Sequence, residues 1–363
     1  MKVQEKDVYD IILEDKGGTD MLSNSQGEKW ETVKYSKKKI HNAGKILAEA
    51  DVDLQTFKEQ IDILNNWRSS HAYPLDEITK DLRKNHDNAL VVQRLKRLDS
   101  IIAKLQRFEA MSLYRMQDLG GCRVIVDTIE DVYAAKEKYK EANSGHILIK
   151  ENDYIEKPQT TGYRSYHMIY EFRSNKEESY NKNMLIEIQF RTKLQHIWAT
   201  AVETMGIYYS ETLLKAGIGD NDTLRFFALV STVFASWEET TSVPGTPLHI
   251  GVILKEINAI DKKHNITSRL SAIKVAMDHV GGDKRNGHFI LLLNYKQKIL
   301  RIKRAKNIEE ATRIYNSIEK EQGQGIDAVL VSATSFDSLK EAYPNYFSDM
   351  DQFVKIMRSI LTY

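Results

Sequence analysis

Apolar residues recur at helical spacing over residues 88–109. Leu95, Leu98, Ile102, Leu105 and Phe108 form one stripe, which predicts a helix. Lys96, Ser100, Lys104 and Arg107 recur on another face at spacings of four, four and three. Residues 184–191 carry a different pattern. There Glu187, Gln189 and Arg191 alternate with Ile186, Ile188 and Phe190, which predicts a strand with one polar and one apolar face. Beyond it, Leu194, Ile197, Trp198, Ala201, Val202 and Met205 give a single apolar stripe and a helix from Lys193 to about Met205.

The same reading extends along the chain. Residues 1–30 are polar with two short apolar clusters, ending in a loop-like stretch from Gly17 to Gly27. Residues 31–70 read as helical, with Ile40, Ile46, Leu47, Phe57, Ile61 and Leu64 as core contacts. A strand is predicted over Cys122–Asp127, a helix over 128–142, strands at 146–150 and 166–172, and more helix at 222–239. Thr240 to Pro247 is the best linker candidate. After it come a helix at 248–280, a turn-rich segment, a hairpin of strands 288–294 and 298–303, a helix at 307–321, a strand at 326–332 and helical segments from 335 onward. This order predicts an α/β (α+β) fold: a mixed sheet flanked by helices, then a second, smaller α/β C-terminal domain. The expected division is an N-terminal helical segment over 1–75, a main domain over 76–240 and a further domain over 241–363.

Composition narrows the picture only slightly. The 363 residues are 42% hydrophobic and 28% charged, as in an ordinary folded protein, and the net charge of +1 gives no global signal for nucleic acid. A local basic patch of Lys37, Lys38, Lys39, Arg83 and Lys84 is a candidate RNA footprint, with a solvated face as the competing reading. The single cysteine, Cys122, excludes an internal disulfide and a cysteine metal cluster, and reads as a core residue. His71, His86, His146 and His196 are too scattered to suggest zinc. No apolar run approaches the ~18 residues of a membrane span. The N-terminus lacks a signal-peptide core, so a cytoplasmic protein is expected.

Candidate chemistry gathers in four places. The first is the basic set on the 94–107 segment, suited to phosphate oxygens. The second is Asp118, ahead of Gly120-Gly121 and Arg123 at a strand end. The third is Glu187, which with Asp118 has the donor set for Mg²⁺, an ion that takes one or two carboxylates and leaves positions for water and phosphate. The fourth is Gly162-Tyr163-Arg164-Ser165-Tyr166-His167, where a ring after a glycine can stack on a base, worth ~1–3 kcal/mol.

In order and spacing, residues 94–205 resemble the synthetase domain of the RelA/SpoT homologue family of alarmone synthetases. The resemblance rests on Arg94-x-Lys96-x-x-x-Ser100-Ile101-x-x-Lys104, Asp118-x-x-Gly121-x-Arg123-Val124, Asp153-Tyr154-Ile155, Gly162-Tyr163-Arg164-Ser165-x-His167, and Glu187-Ile188-Gln189-x-Arg191-Thr192 with His196 and Trp198. It implies a nucleotidyltransferase-like domain that transfers the β,γ-pyrophosphate of ATP to a ribose 3′-hydroxyl. Carried over, it implies that Arg94 and Arg123 sandwich the adenine and that Lys96, Ser100, Lys104 and Arg107 hold the triphosphate. Asp118 and Glu187 are then the catalytic carboxylates and Mg²⁺ ligands. Tyr163 stacks on the acceptor base, and Arg164, His167, Gln189 and Arg191 line the acceptor side. The family's Pro-Lys-x-Asn-Gly loop is here Pro158-Gln159-Thr160-Thr161-Gly162, so the acceptor side departs from the pattern while the ATP side is intact.

No hydrolase domain is read before the synthetase and no ribosome-associated domains after it, so a small single-synthetase member is expected. The layout and the ending from Val331 to Phe347 resemble the fused toxin–antitoxin branch of the CapRel type. That resemblance implies tRNA as the acceptor, restraint by the C-terminal domain, and a phage capsid-like protein as the activating partner. Two other readings stay open: an alarmone synthetase acting on GDP or GTP, and a catalytically silent nucleotide- or RNA-binding sensor. Tyr343 and Tyr346, with Pro344 between them, are the candidate autoinhibitory pair, suited to filling the pocket between Arg94 and Arg123; packing in their own domain's core is the competing reading. Replacing both tyrosines with alanine is expected to make the chain constitutively toxic on expression. Growth equal to that of cells carrying the wild type would remove this pair from the restraint.

Overall fold

The computed structural model describes residues 10–14, 30–49, 51–86, 89–96, 98–108, 110–142, 145–174, 178–205, 221–264, 266–267, 270, 287–294, 299–321, 326–333 and 350–361. Its described strands form two sheets. One short strand, β1 (Asp10–Glu14), precedes the main sheet of β2 (Leu90–Leu95), β3 (Gly120–Val126), β4 (Ile147–Asp153), β5 (Tyr166–Glu171) and β6 (Leu185–Thr192). The main sheet runs in the order β2-β3-β6-β5-β4, with β3 and β6 parallel and the other pairs antiparallel. The expected mixed sheet flanked by helices is therefore present. Ile186, Ile188 and Phe190 of β6 are fully buried, while Glu187 and Gln189 are not, as the alternation predicted.

The clearest departure lies at residues 88–109, read from the sequence as one helix. The chain instead forms β2 and then α4 (Leu98–Arg107), after α1 (Lys37–Ala48), α2 (Leu54–Ser70) and α3 (Ala72–Asn85). Val91 and Val92 are β-branched and favour a pleated surface, and β2 pairs with β3 so that Arg94 faces Gly121 and Val92 faces Arg123. Arg94 thus sits on a strand rather than on a helical stripe. Ile101 takes the fully buried place expected of Ile102, and Phe108 is exposed. The helix expected over 31–70 is also two helices. Asp53 starts the second by accepting from the amides of Gln55 and Thr56, each at 3.0 Å.

The remaining helices are α5 (Ile129–Glu141), α6 (Lys193–Met205), α7 (Asn221–Trp237), α8 (Ile250–His264), α9 (Ile308–Glu321) and α10 (Met350–Leu361). Residues 240–247, read as a linker, fold back onto α7. Val243 is buried, its amide donates to Thr232 Oγ1 at 3.2 Å, and Thr246 meets Thr232 at 2.9 Å. Helices from both sides of residue 240 then share one core. Trp198 of α6, Phe227 and Phe234 of α7, Ile257 of α8 and Phe353 of α10 belong to it. The rings of Phe227 and Phe353 lie 6.3 Å apart.

The second sheet holds β7 (Gly287–Asn294), β8 (Ile299–Ala305) and β9 (Ile326–Ala333) in the order β1-β8-β7-β9. The expected hairpin is β7–β8. Its parallel partner β1 was hidden in the polar N-terminal segment, because five residues beside a distant strand leave no local periodicity. Helix α9 places Ala311 in the main core, with Ile314 and Ile318 packed against it. Tyr343 and Tyr346 lie outside the described residues.

Candidate active site

The polar face of the main sheet floors a cavity of about 320 Å³. Strand pairing builds that floor. Gly121 of β3 lies beside Glu187 of β6, and Arg123 beside Gln189, which in turn pairs with His167 of β5. Arg123 Nε donates to Gln189 Oε1 at 3.3 Å, and Gln189 Nε2 donates to Glu187 Oε2 at 2.5 Å. His167 Nδ1 lies 3.1 Å from the other Glu187 oxygen, and its Nε2 lies 2.8 Å from the Tyr163 hydroxyl. Burial alone disfavours charge on His167, but Tyr163 and Glu187 overcome it and raise its pKa to about 9. At neutral pH the ring is an imidazolium that donates from both nitrogens.

Asp118 stands at the head of β3. Lys96 Nζ donates to one of its oxygens at 2.8 Å and Lys104 Nζ to the other at 3.1 Å. Burial works against its charge, yet the two ammonium groups lower its pKa to about 2. Glu187 is also held below the usual carboxylate range. Burial and the nearby Asp118 charge oppose this, and the His167 cation with the Gln189 amide outweighs them. Both carboxylates are therefore ionised, and each raises the other's cost.

This donor set fits Mg²⁺. Among the described residues no group of three or more His, Cys, Asp or Glu side chains could hold a metal, so an all-protein cage is not available. Two ionised carboxylates on one cavity are what Mg²⁺ uses when water and phosphate complete its shell.

The other expected site residues divide. Arg94, Lys96, Arg123, Tyr163, Gln189 and Arg191 line the cavity. Arg191 is buried and donates to His196 Nδ1; burial and then the Arg123 cation lower its pKa to about 9. Lys104 reaches the site through Asp118. Ser100 and Arg107 do not line the cavity. Arg107 is exposed, with its guanidinium 4.6 Å from the Phe108 ring centre. Tyr163 is half-buried rather than an exposed ring, with its edge against Tyr154 and His167 at 6.0 and 5.6 Å.

Arg164, expected on the acceptor side, is placed elsewhere. It is buried and donates to Glu238 at 2.7 Å, Thr240 Oγ1 at 3.0 Å and Ser231 Oγ at 3.2 Å. Glu238 also accepts from Thr192 and Gln195. Arg164 thus pins the loop to the end of α7, and removing one partner of such a buried pair costs ~3–5 kcal/mol. Gly162 shares this role. Its φ is +95°, and a Cβ there would lie 2.8 Å from Trp198 Cζ2 and 3.1 Å from Ala228 Cα.

Sequence reasoning left out the opposite wall. Trp198, Ala199, Val202 and Glu203 of α6, with Leu224 and Phe227 of α7, close the cavity over the sheet. The stripe on α6 looked like core, and only its edge is cavity. Gln159 and Thr161, noticed as departures from the family's loop, also line the cavity.

Residues 93–212 match the sequence model of the family described as "Region found in RelA / SpoT proteins". This stretch carries the region found in RelA/SpoT proteins. It contains every cavity-lining residue except Val92, Leu224 and Phe227. Among curated proteins the chain is similar to the GTP pyrophosphokinase YjbM of Bacillus subtilis (strain 168), 32% identical over 125 residues, which are 33% of this chain and 57% of that protein. It is also similar to the GTP pyrophosphokinase YwaC of the same strain, 32% identical over 121 residues, 32% of this chain and 56% of that protein. The chain spans just over half the length of these relatives. Among solved structures, the small alarmone synthetase 1 from Bacillus subtilis aligns at 24% identity over 47% of this chain and 88% of that one, with a TM-score of 0.38.

The RelA/SpoT region's His167–Glu187 pair generates a pH prediction. The His167 pKa is raised from 6.5 to about 9, so the pair's contribution is fully present below pH 6.5 and is lost as pH rises through about 9. The melting temperature of His167→Gln should therefore fall furthest below wild type at pH 6 and approach it above pH 9. A constant difference from pH 6 to 10 would contradict the assignment.

Proposed function

We propose that this chain is a pyrophosphokinase that moves the β,γ-pyrophosphate of ATP onto a ribose 3′-hydroxyl. The observation that carries this reading is the pair Asp118 and Glu187, both ionised and facing one cavity, with cationic side chains on either side. Arg94 and Arg123 lie diagonally on neighbouring strands, where two guanidinium planes suit an adenine between them. Lys96 and Lys104 turn from Asp118 to the phosphate oxygens when nucleotide binds. Asp118 and Glu187 would hold a Mg²⁺, which would supply charge neutralisation at those oxygens. The 3′-oxygen attacks the β-phosphorus as its proton passes toward Glu187. The bond from the β-phosphorus to the bridging oxygen breaks, and AMP leaves with that electron pair. His167 keeps Glu187 oriented, and Tyr163 offers its ring to the acceptor base.

The acceptor we assign is the 3′ end of tRNA, so that the product is blocked for translation. Support comes from Gln159 and Thr161. They replace the Lys and Asn of the family's acceptor loop, and they line the cavity. Exposed Lys37, Lys38 and Lys39 in the first turn of α1 add a local cationic patch for a polyanion. The ending that resembles the CapRel type supports restraint by the C-terminal half, lifted by a phage capsid-like protein, as an anti-phage device in the cytoplasm. A second reading, with GDP or GTP as acceptor, is favoured by the relatives named GTP pyrophosphokinase.

One assay separates these readings. The full chain, and the Tyr343→Ala/Tyr346→Ala variant with its restraint lifted, are incubated with γ-labelled ATP, Mg²⁺ and either bulk tRNA or GDP. Label in the tRNA band is expected, falling by about 10²-fold or more in Glu187→Gln. Label only in a guanosine product would establish the second reading. Transfer to neither acceptor, by either form, would overturn the pyrophosphokinase assignment.

A further inference from the structure

Lys96 is fixed from three directions. Its amide donates to Leu119 O at 2.8 Å, beside Asp118 in the chain, and its Nζ holds the Asp118 carboxylate at 2.8 Å. Its carbonyl accepts from Nη1 of Arg68 at 3.3 Å. Arg68 lies on α2 and is fully buried, so its guanidinium depends on protein acceptors. One of them comes from far along the chain. Asn316 of α9 accepts from Arg68 Nη2 through Oδ1, and its own Nδ2 donates to Ser69 Oγ at 2.7 Å. The same helix buries Ala311 in the main core, so Asn316 is held at a packed junction.

We propose that Asn316 is a positioning residue for the donor site: through Arg68, helix α9 of the C-terminal half completes the scaffold that aims Lys96 into the cavity. The inference rests on the reading of Lys96 as a phosphate-binding residue. It gives the C-terminal half a supporting role in nucleotide binding. Truncating the chain after residue 240 then removes a donor-site support as well as any restraint.

The chemistry separates two variants. Asn316→Leu keeps much of the volume and removes an acceptor from a buried cation. Asn316→Asp keeps an acceptor for Arg68 and accepts from the Ser69 hydroxyl in place of donating to it. The full chain and both variants are titrated calorimetrically with Mg²⁺ and a non-hydrolysable ATP analogue, with melting temperatures recorded in parallel. Asn316→Leu is expected to weaken analogue binding about tenfold, the order of one hydrogen bond to a charged group. Asn316→Asp is expected to stay within about twofold of wild type. The KM for the acceptor should be unchanged in both. A wild-type chain that binds the analogue while Asn316→Leu binds it equally well overturns the inference alone. Equal loss of affinity in both variants, in step with their melting temperatures, also overturns it, because that is the signature of packing alone. A wild-type chain that binds no analogue overturns the donor-site reading and this inference with it.

Discussion

Two carboxylates of like charge share one cavity, and much of the surrounding structure serves to keep both ionised. A buried carboxylate without a cation would take up a proton. Asp118 avoids this with Lys96 and Lys104, and Glu187 with His167 and the Gln189 amide. These partners come from the residue after β2 and from α4, β5 and β6, so the observed strand order is what brings them to the two carboxylates. In the function proposed above, the lysines on Asp118 are also the groups that meet phosphate. On the proposed function the resting site is a set of ion pairs that a nucleotide and its metal exchange.

Opposite this charged floor, the wall is apolar except for Glu203 and is held by a different device. Trp198 and Phe227 face the cavity, and Gly162 lets the loop before Tyr163 approach both their helices closely. Arg164, Ser231 and Glu238 tie the loop to α7 from below. Phe353 of α10 packs behind Phe227. The wall beside Tyr163 therefore depends on the packing of α7 and α10, and in the inference drawn above Lys96 depends on α9 through Asn316. Parts of the chain beyond residue 240 reach both halves of the site through side-chain contacts.

Most of this floor was legible in the sequence. Strict alternation in 184–191 assigned Glu187, Gln189 and Arg191 to one face, because a strand's period of two leaves little freedom. The strand at 90–95 was not legible, since its apolar residues continue into the helical stripe of α4 and Leu95 fits both periods. Only pairing with β3 decides between them. Arg164 was misplaced because sequence shows a polar residue in a motif without showing whether it faces a cavity or Glu238. The cavity face of α6 was missed for the converse reason, since Trp198 and Val202 look identical to core residues in a stripe. No local signal marks Asn316, whose partners Arg68 and Ser69 lie some 247 residues away.

The central claim is that Asp118 gives up its lysines to phosphate and its oxygens to a metal. A high-resolution structure of the full chain with Mg²⁺ and a non-hydrolysable ATP analogue tests it most directly. The account predicts Lys96 and Lys104 on phosphate oxygens, with one Mg²⁺ contacting both Asp118 and Glu187. Nucleotide bound with both lysines still on Asp118, and no metal at either carboxylate, would contradict it.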